Sequence, residues 1–410
     1  MRAYWLCWIA YASVYLVRAN LSAALPGMES SLSLSRVSLG FLGSMFFWVY
    51  GAGQLVNGQL GDRLNPRWFV ALGIAVAGTV NIIFGLSSKF ALFVVCWAIN
   101  GWFLSFLWGP IIRSVSDWFG PAKCAGMAIK MSTSMIGGSL IALIVSGYIM
   151  DGIGWRYVFI LPGLFAIGIS VMWAVLFRPA PKHVWAESDP SHQEEEEVIK
   201  VGTGSGTARG YSMRELFVKS RMWFMLVACF SQAVIKDGIG LWGPVYFMEQ
   251  HGLDVKNAIF TTATIPVVNF SGVLLTLKLY KSGRLKMMVA SMLFVCTLLT
   301  IGLLLFGKSN LIMAILFLCT SSALMFGVNS LLINVYPLSF AQYGRVSGIA
   351  GFLNSCSYAA SGLAAMLSGF MLEAFGWNSL IIMWGCIAVL GTIVTLIGRF
   401  DMDDKKTTLK

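Results

Sequence analysis

The chain has 410 residues, of which 57% are hydrophobic and only 11% are charged, and its mean hydropathy is +0.76. Because soluble domains carry about 25% charged residues, this composition excludes a water-soluble globular protein. The net charge of +11 would suit a nucleic-acid partner, so the positions of the basic residues have to decide between nucleic acid and membrane.

Apolar residues come in long blocks separated by short polar or Gly/Pro-containing breaks. A helix needs about 20 apolar residues to cross the hydrocarbon core of a bilayer. The first block is too long for a cleavable signal peptide and lacks an A-x-A-like site, so we interpret it as a span. The sequence predicts an all-α membrane protein with twelve spans, at about 3–26, 38–60, 68–87, 90–113, 125–149, 156–177, 221–248, 258–280, 287–307, 310–335, 346–371 and 377–398.

The basic residues are distributed unevenly between the two sides of the predicted membrane. With Met1 on the cytoplasmic side, 21 of the 29 Lys and Arg residues fall in cytoplasmic segments or helix ends, whereas the outer loops hold five. By the positive-inside rule, this asymmetry predicts a multi-pass plasma (inner) membrane protein with both termini in the cytoplasm. It leaves no basic patch for nucleic acid, and it leaves three cations inside spans: Arg18, Lys130 and Lys236.

One segment departs from the apolar pattern. Residues 178–220 combine prolines, an acidic run at 194–197 and a Gly/Ser/Thr tract, a composition that buries too little apolar surface to fold alone. We interpret this segment as a cytoplasmic tether, with a regulatory segment as the alternative. The predicted organisation is a six-span bundle over 1–177, this linker over 178–220, a second six-span bundle over 221–398 and a cytoplasmic tail over 399–410.

The two predicted bundles carry matching sequences. DGIGW at 151–155 recurs as EAFGW at 373–377, 222 residues later, at the turn after the fifth span of each bundle. In the first spans an offset of 218 relates Arg18 to Lys236, and each of them lies eight residues before a proline. Such an ordered series indicates a duplicated six-helix unit, which is a common construction in transporters.

The loop after the second span reads GQLGDRLNPR over 58–67. This glycine, the acid–arginine pair and the further basic residue resemble the signature loop of the major facilitator superfamily. The resemblance implies the major facilitator fold, in which two six-helix bundles are related by pseudo-two-fold symmetry. Asp62 would then engage a neighbouring helix N-terminus, while Arg63 and Arg67 stay on the cytoplasmic side, so these three residues are the gating candidates.

Within that superfamily the chain most resembles the organophosphate:phosphate antiporters, such as the glycerol-3-phosphate and hexose-phosphate transporters. The resemblance rests on the DRxNPR form of the loop, YxxxYLVRAN at 11–20, and WxPxY at 242–246. It implies transport of an organophosphate anion across the cell inner membrane. The chain departs from the family pattern at Lys236, where arginine is usual, at Gln54, where lysine is common, and at Ser134, where a histidine is common. These departures leave the identity of the anion open.

Two cations lie deep in equivalent spans. An ionisable side chain at bilayer depth costs about 2.5–3.5 kcal/mol, so Arg18 and Lys236 each need water, an acidic partner or an anionic ligand. Only one acid, Asp237, lies deep in any predicted span, and it adjoins Lys236. We therefore expect an anion to balance Arg18, whose guanidinium offers two parallel hydrogen bonds, with Lys236 as a compact point charge. Pairing of each cation with a buried acid is the alternative.

Five further residues are candidates for the same substrate-binding site. Tyr11 and Tyr15, one turn apart on the face that carries Arg18, would donate hydroxyls to a ligand. Lys130 and Ser134 share a helix face at i and i+4, and Ser134 matches a cavity-facing position of the resembling family. The motif WxPxY in the seventh span adds Trp242. Packing is the alternative for the tyrosines, and snorkelling to the cytoplasmic surface is the alternative for Lys130.

These features predict a secondary transporter of small organic anions that works by alternating access. One alternative is a proton- or sodium-coupled symporter in which Asp237 carries the proton, and another is a transporter-like membrane receptor for sugar phosphate. The eight cysteines stand singly, and no nucleophile–base pair, P-loop or dinucleotide motif occurs, so we expect no metal, no cofactor and no enzymatic activity. The expected partners are the bilayer and a small anion, and the chain is expected to act as a monomer.

The predicted topology is tested by cysteine-accessibility labelling with a membrane-impermeant reagent. Cysteines placed at Lys200 and Lys405 should react only from the cytoplasmic side, and one at Lys308 only from outside, because the basic asymmetry fixes the orientation. Labelling of the 178–220 segment from outside would contradict both the orientation and the division into two bundles.

Overall fold

The computed structural model describes residues 2–119, 121–180, 223–280, 284–337, 339 and 346–398. Residues 181–220 of the predicted linker and the whole predicted tail, 399–410, lie outside these ranges. The described residues form helices joined by short connections, and no strand occurs among them. The helices are α1 Arg2–Leu16, α2 Asn20–Leu32, α3 Arg36–Arg63, α4 Pro66–Leu86, α5 Phe90–Leu104, α6 Trp108–Phe119, α7 Pro121–Ile153, α8 Tyr157–Leu176, α9 Trp223–His251, α10 Val255–Thr262, α11 Thr264–Leu279, α12 Leu285–Gly302, α13 Leu311–Ser330 and α14 Val346–Ile397.

Ten helical segments among the described residues are long and apolar enough to cross a membrane. One of them, in α14, contains two passes, because the helix bends at Gly376, where φ is 76°. The interrupted pair α1 and α2 supplies a further pass that neither helix makes alone. Counted this way, the described helices make twelve passes, and the predicted all-α membrane fold with twelve spans is confirmed.

The Asn-Pro pair in the loop between α3 and α4 has a local structural role. Asn65 is the N-cap of α4, and its side-chain oxygen accepts a hydrogen bond from the backbone N–H of Arg67 at 3.0 Å. Pro66 occupies the first turn of the helix, where a missing N–H costs nothing. The sequence at 65–67 therefore begins α4 abruptly after the chain turns back toward the membrane.

The repeated Gly-Trp motif is a tight turn in both halves, defined here as residues 2–180 and 223–398. Gly154 and Gly376 have φ of 92° and 76°, in the left-handed region that favours glycine. No other atom would lie within 4 Å of a Cβ added at either position, so backbone conformation rather than space requires glycine at both turns. The shared glycine of DGIGW and EAFGW thus has the same conformational cause in each half.

The tryptophan that follows each glycine makes an equivalent hydrogen bond. Trp155 Nε1 donates to Ser31 Oγ at 2.7 Å, and Trp377 Nε1 donates to Glu249 Oε2 at 2.7 Å. Ser31 and Glu249 are themselves related by the offset of 218 that relates the first spans of the two halves. Each indole therefore ties the turn after the fifth span to the end of the first span of its own half.

Between the two halves, α3 packs closely against the first part of α14. A Cβ at Gly40 would lie 2.5 Å from the backbone oxygen of Ala365, so the two helix backbones approach where only glycine fits. One turn further along, Ser44 Oγ donates to the backbone oxygen of Gly362 at 2.6 Å. The contact between α3 and α14 extends to Gln54, whose Oε1 accepts a hydrogen bond from Asn354 Nδ2 at 2.6 Å.

At the ends of the spans predicted to face outward, charged groups also join the halves. Arg36 at the start of α3 forms an ion pair with Glu249 at the end of α9, and also pairs with Glu29 of its own half at 2.9 Å. Lys256 Nζ lies 3.0 Å from Asp151 Oδ2. Arg36, Glu29 and Glu249 are 21–34% exposed, so each pair of Arg36 contributes about 0–1 kcal/mol. The Arg36–Glu249 and Lys256–Asp151 pairs join the halves at this end with contacts that water can readily replace.

The Arg36–Glu249 pair is tested by Glu249→Gln, which removes the charge that joins the halves. Because an exposed pair is worth up to about 1 kcal/mol, we expect labelling of Ser139→Cys in the central cavity by an outside impermeant reagent to rise by up to about fivefold. The assay uses a background in which the eight native cysteines are serine. Glu29→Gln is the matched control, since Glu29 pairs with Arg36 inside one half; equal labelling rates in the two variants would contradict this role.

Candidate functional site

A cavity of about 250 Å³ lies between the two halves. The first half contributes Tyr15, Arg18, Ser22, Phe46 and Phe47, together with residues of α7, whereas the second half contributes parts of α9, α10, α11, α13 and α14. The cavity therefore takes its walls from both halves, so their relative position determines its shape and access.

Arg18 lies on a non-helical turn at residues 17–19, between α1 and α2. The backbone N–H groups of Arg18 and Ala19 both donate to the backbone oxygen of Tyr15, at 3.3 and 2.8 Å. The prediction of one continuous helix over 3–26 is therefore wrong at this point. Arg18 projects from an interruption in the first span, and its side chain is half-buried on the cavity wall.

The guanidinium of Arg18 is surrounded by aromatic rings. Its Cζ lies 5.0 and 5.1 Å from the ring centroids of Phe46 and Tyr50, and 5.8 Å from those of Tyr15 and Tyr358. Cation–π contacts of this kind stabilise a cation by about 0.5–2 kcal/mol without neutralising its charge. Among the described residues, no carboxylate lies within ion-pair distance of Arg18 and none accepts a hydrogen bond from its side chain. Its N–H groups are thus available to a ligand.

Lys236 has a different environment, although it occupies the equivalent position in the second half. Its Nζ lies 3.2 Å from Asp237 Oδ1, and these side chains are 12% and 15% exposed. The second oxygen of Asp237 accepts a hydrogen bond from the Ser361 hydroxyl. The same Nζ also lies 4.9 Å from the ring centroid of Phe326. Lys236 is therefore compensated by a neighbouring acid that is itself held by α14.

The charge of the cavity follows from these two environments. Among the described residues that line it, three are charged: Arg18, Lys236 and Asp237. Their sum is +1, and the positive charge without a counter-ion is that of Arg18. The described residues contain no group of three or more His, Cys, Asp and Glu side chains that would hold a metal ion. The arrangement suits an anion, bound by the free N–H groups of Arg18 with Lys236 nearby.

Two of the predicted site residues on α7 lie away from the cavity. Ser134 is buried and donates its hydroxyl to the backbone oxygen of Met131 at 2.5 Å, while Lys130 is exposed. The cavity is lined instead by Met135 and Ser139, at i and i+4. Neighbouring residues on a helix differ by about 100° in direction, so an error of one residue in the facing position turns a side chain off the wall.

Tyr11 and Trp242 are likewise placed outside the cavity wall. Tyr11 is 4% exposed and packs against Trp108, with ring centroids 4.7 Å apart. Trp242 is fully buried in α9, where the cavity-facing residues include Lys236, Gly240 and Leu241. Of the predicted substrate-binding residues, the structure brings Tyr15, Arg18 and Lys236 together on the wall, with the coupling candidate Asp237; their binding roles stay predictions.

Of the gating candidates, only Arg67 has a described side chain, because those of Asp62 and Arg63 at the end of α3 lie outside the described part. Arg67 Nε donates to the backbone oxygen of Ala174 at 2.5 Å, near the end of α8. Carbonyls in the last turn of a helix have no partner within that helix, so Arg67 satisfies one of them. This contact joins α4 and α8 of the same half.

Several polar residues of the cavity were not among the predicted site residues. Ser139, Asn269 and Asn329 line it from α7, α11 and α13, and the two asparagines stand inside otherwise apolar spans. A polar side chain within a span is costly unless it faces protein or water, which is a signal available in the sequence. The sequence around Tyr358 does not indicate that this residue faces the cavity, because its neighbours on the cavity wall come from distant parts of the chain.

Curated relatives match most of the chain. It is 26% identical over 400 residues to the membrane sensor protein UhpC of Salmonella typhimurium, covering 95% of this chain and 88% of that protein. It is 26% identical over 392 residues to the glycerol-3-phosphate transporter of Bacillus subtilis, covering 92% and 86%. A probable hexose phosphate transport protein of Chlamydia pneumoniae is 28% identical over 286 residues, which span 67% of this chain and 63% of that relative's length.

The fold is shared with solved transporter structures. A bacterial homologue of the human lysosomal transporter Spinster, in an inward-facing and occupied conformation, superposes with a TM-score of 0.75. The match covers 96% of this chain and 95% of that one at 16% identity.

The sequence profile of the Major Facilitator Superfamily matches residues 7–362, which run from the first span into α14 and include most of the residues that form the cavity. With the twelve-pass fold, this match confirms the family predicted from the signature loop: the chain belongs to the Major Facilitator Superfamily.

Proposed function

We propose that this chain is a secondary transporter of small organic phosphates, which bind at Arg18 in the central cavity and cross the membrane by alternating access. The observation that carries the proposal is the unneutralised guanidinium of Arg18 on a cavity wall, with three charged groups that sum to +1. The phosphate class is supported by relatives named as glycerol-3-phosphate and hexose phosphate transporters.

The proposed mechanism uses the two halves as moving bodies. We take the halves as 1–177 and 221–398, joined by the cytoplasmic tether 178–220, with both termini and the tail 399–410 in the cytoplasm of a bacterial-type inner membrane. In this orientation the ends joined by Arg36 and Glu249 face outward, so the arrangement is closed on the outer side. An anion at Arg18 would offset the positive charge of the cavity and allow the halves to close on their cytoplasmic side.

Substrate recognition follows from the two cations. The planar guanidinium of Arg18 would hold two phosphate oxygens by parallel charge-assisted hydrogen bonds. Lys236 would add a point charge from the other half, at a site where Asp237 already holds its ammonium group. Tyr15 lies on the same wall and has a hydroxyl to donate. In this arrangement each half contributes one cation, so the anion itself links them.

A second candidate function is ligand sensing rather than transport. The similarity to the membrane sensor protein UhpC covers 95% of this chain, as much as that to any of the transporters above. A sensor and a transporter would bind the anion through the same cavity, so binding alone does not separate them. The two functions are separated by measuring uptake or exchange of radiolabelled glycerol-3-phosphate, hexose phosphate and phosphate in proteoliposomes. Binding without flux favours the sensor.

Substitutions at the two cations test the proposed site. Arg18→Lys keeps the charge but loses the two-pronged donor, and a charge-assisted hydrogen bond is worth about 1.5–3 kcal/mol, so we expect about ten- to a hundredfold weaker binding of radiolabelled phosphate or glycerol-3-phosphate. Arg18→Ala should abolish transport, whereas Lys236→Arg should be tolerated best. Each variant is purified and checked for folding first. Normal transport in both Arg18→Ala and Lys236→Ala would overturn the mechanism.

Asp237→Asn separates antiport from proton coupling. If Asp237 only neutralises Lys236, the variant should fold less well or bind substrate more weakly, and exchange should stay independent of pH. If Asp237 carries a proton, the variant should lose accumulation driven by a pH gradient while it retains exchange between internal and external substrate. Ser361→Ala is the matched control, since it removes the hydrogen bond to Asp237 and keeps the carboxylate. Gradient-driven uptake that depends on Asp237 would favour the symporter.

A further inference from the structure

Three asparagines form a buried cluster behind the turn that carries Arg18. Asn20, Asn81 and Asn100 lie on α2, α4 and α5, and each is 0% exposed. Asn20 Nδ2 donates to Asn81 Oδ1 at 2.9 Å, and Asn81 Nδ2 donates to Asn100 Oδ1 at 3.3 Å. None of the three lies on the cavity wall. Their side chains therefore face other helices of the first half.

The cluster satisfies a backbone group that the interruption leaves without a helical partner. In an unbroken helix the carbonyl of Val17 would accept the N–H four residues later. Here it accepts hydrogen bonds from Asn100 Nδ2 at 2.8 Å and Asn81 Nδ2 at 3.4 Å. Irregular backbone at membrane depth persists only where protein or water supplies such partners. The two asparagines thus hold the turn immediately next to Arg18.

The cluster also fixes the turn to two more helices. Asn20, two residues after Arg18, donates to the backbone oxygen of Val158 at the start of α8, at 3.3 Å. Asn81 donates to the backbone oxygen of Ala77, one turn earlier in α4, at 2.8 Å. The backbone on both sides of Arg18 is therefore tied to α4, α5 and α8 by buried hydrogen bonds.

The first span of the second half is not interrupted at the matching place. Lys236, the counterpart of Arg18, lies within the unbroken helix α9. At the offset of 218, the position of Asn20 is occupied by Gly238. The turn at 17–19 and the asparagine that follows it thus occur together in one half, and both are missing at the matching place in the other.

We propose that Asn20, Asn81 and Asn100 are positioning residues, which hold the turn at 17–19 open and thereby direct the Arg18 guanidinium toward the anion. The inference rests on the proposed function, because it assigns the cluster a role through Arg18. The asparagines touch no substrate. Without their hydrogen bonds the turn loses its fixed geometry, and the two-pronged donor of Arg18 loses its alignment.

The test is Asn100→Leu, which keeps the number and branching of the side-chain heavy atoms and removes the donor to Val17. Loss of one aligned charge-assisted hydrogen bond from Arg18 should weaken binding of radiolabelled phosphate and glycerol-3-phosphate to the purified protein by about tenfold. In an Arg18→Lys background, which keeps the charge but lacks the two-pronged donor, the same substitution should cause little further loss of affinity. If the role of Asn100 were purely structural, affinity would fall by the same factor in both backgrounds.

The matched control is Asn57→Leu, since Asn57 is also buried and donates across helices, to Ser105 Oγ at 2.7 Å, but its described hydrogen bond does not reach the turn. It should reduce thermal stability with unchanged anion affinity. If Asn100→Leu does not fold, Asn100→Ser, too short to reach Val17, is measured instead. Wild-type affinity in the folded Asn100 variant, or an equal loss in the Arg18→Lys background, would overturn this inference. Normal binding by Arg18→Ala alone would instead overturn the proposed function.

Discussion

The uncompensated charge of Arg18 is the constraint on which the arrangement of the cavity depends. A cation at bilayer depth costs several kcal/mol unless water, aromatic faces or an anion stabilise it. The rings of Phe46, Tyr50 and Tyr358 supply part of that stabilisation without using the guanidinium N–H groups. The cavity leaves room beside the guanidinium for water or for an anion. A carboxylate in place of one ring would neutralise the guanidinium, and its charge would then no longer favour an anion.

The two halves treat equivalent cations differently, and this asymmetry has physical consequences. Lys236 is held by Asp237 within a regular helix, so its position follows from helix geometry and an ion pair. Arg18 lies on an irregular turn, so its position follows from side chains on other helices. Duplication therefore explains why both halves carry a cation at this place. It does not explain the difference between them, which coincides with Asn20 in the first half and Gly238 at the matching position in the second.

The fold was predictable from the sequence to a greater extent than the site. The length and hydropathy of each apolar segment determine whether it crosses a bilayer. The glycine of the repeated Gly-Trp turn is required by its own backbone conformation. Both features can therefore be predicted from a short stretch of sequence. The direction of a side chain is harder to predict, since Ser134 and Met135 differ by one residue and face different neighbours. Contacts such as that of Gln54 with Asn354 join residues 300 positions apart. The sequence around either residue gives no sign of its partner.

The interruption at residues 17–19 shows most clearly why a local pattern fails. Hydropathy across 3–26 is that of an ordinary span, and Pro26 lies in the regular part of α2, so neither signal marks the break. The side chains that donate to the freed Val17 carbonyl, Asn81 and Asn100, lie on helices that follow much later in the sequence.

The energetics of the contacts between the halves fit the proposed alternating access. The ion pairs of Arg36 are partly exposed and worth about 0–1 kcal/mol each, so water would replace them at small cost on separation of the halves. A charge-assisted hydrogen bond to Arg18 is worth about 1.5–3 kcal/mol, which exceeds any one of those pairs. A ligand shifts a two-state equilibrium only by its difference in affinity for the two states. An anion that contacts Arg18 in every state but reaches Lys236 only when the halves approach would have such a difference, because the second cation comes from the other half.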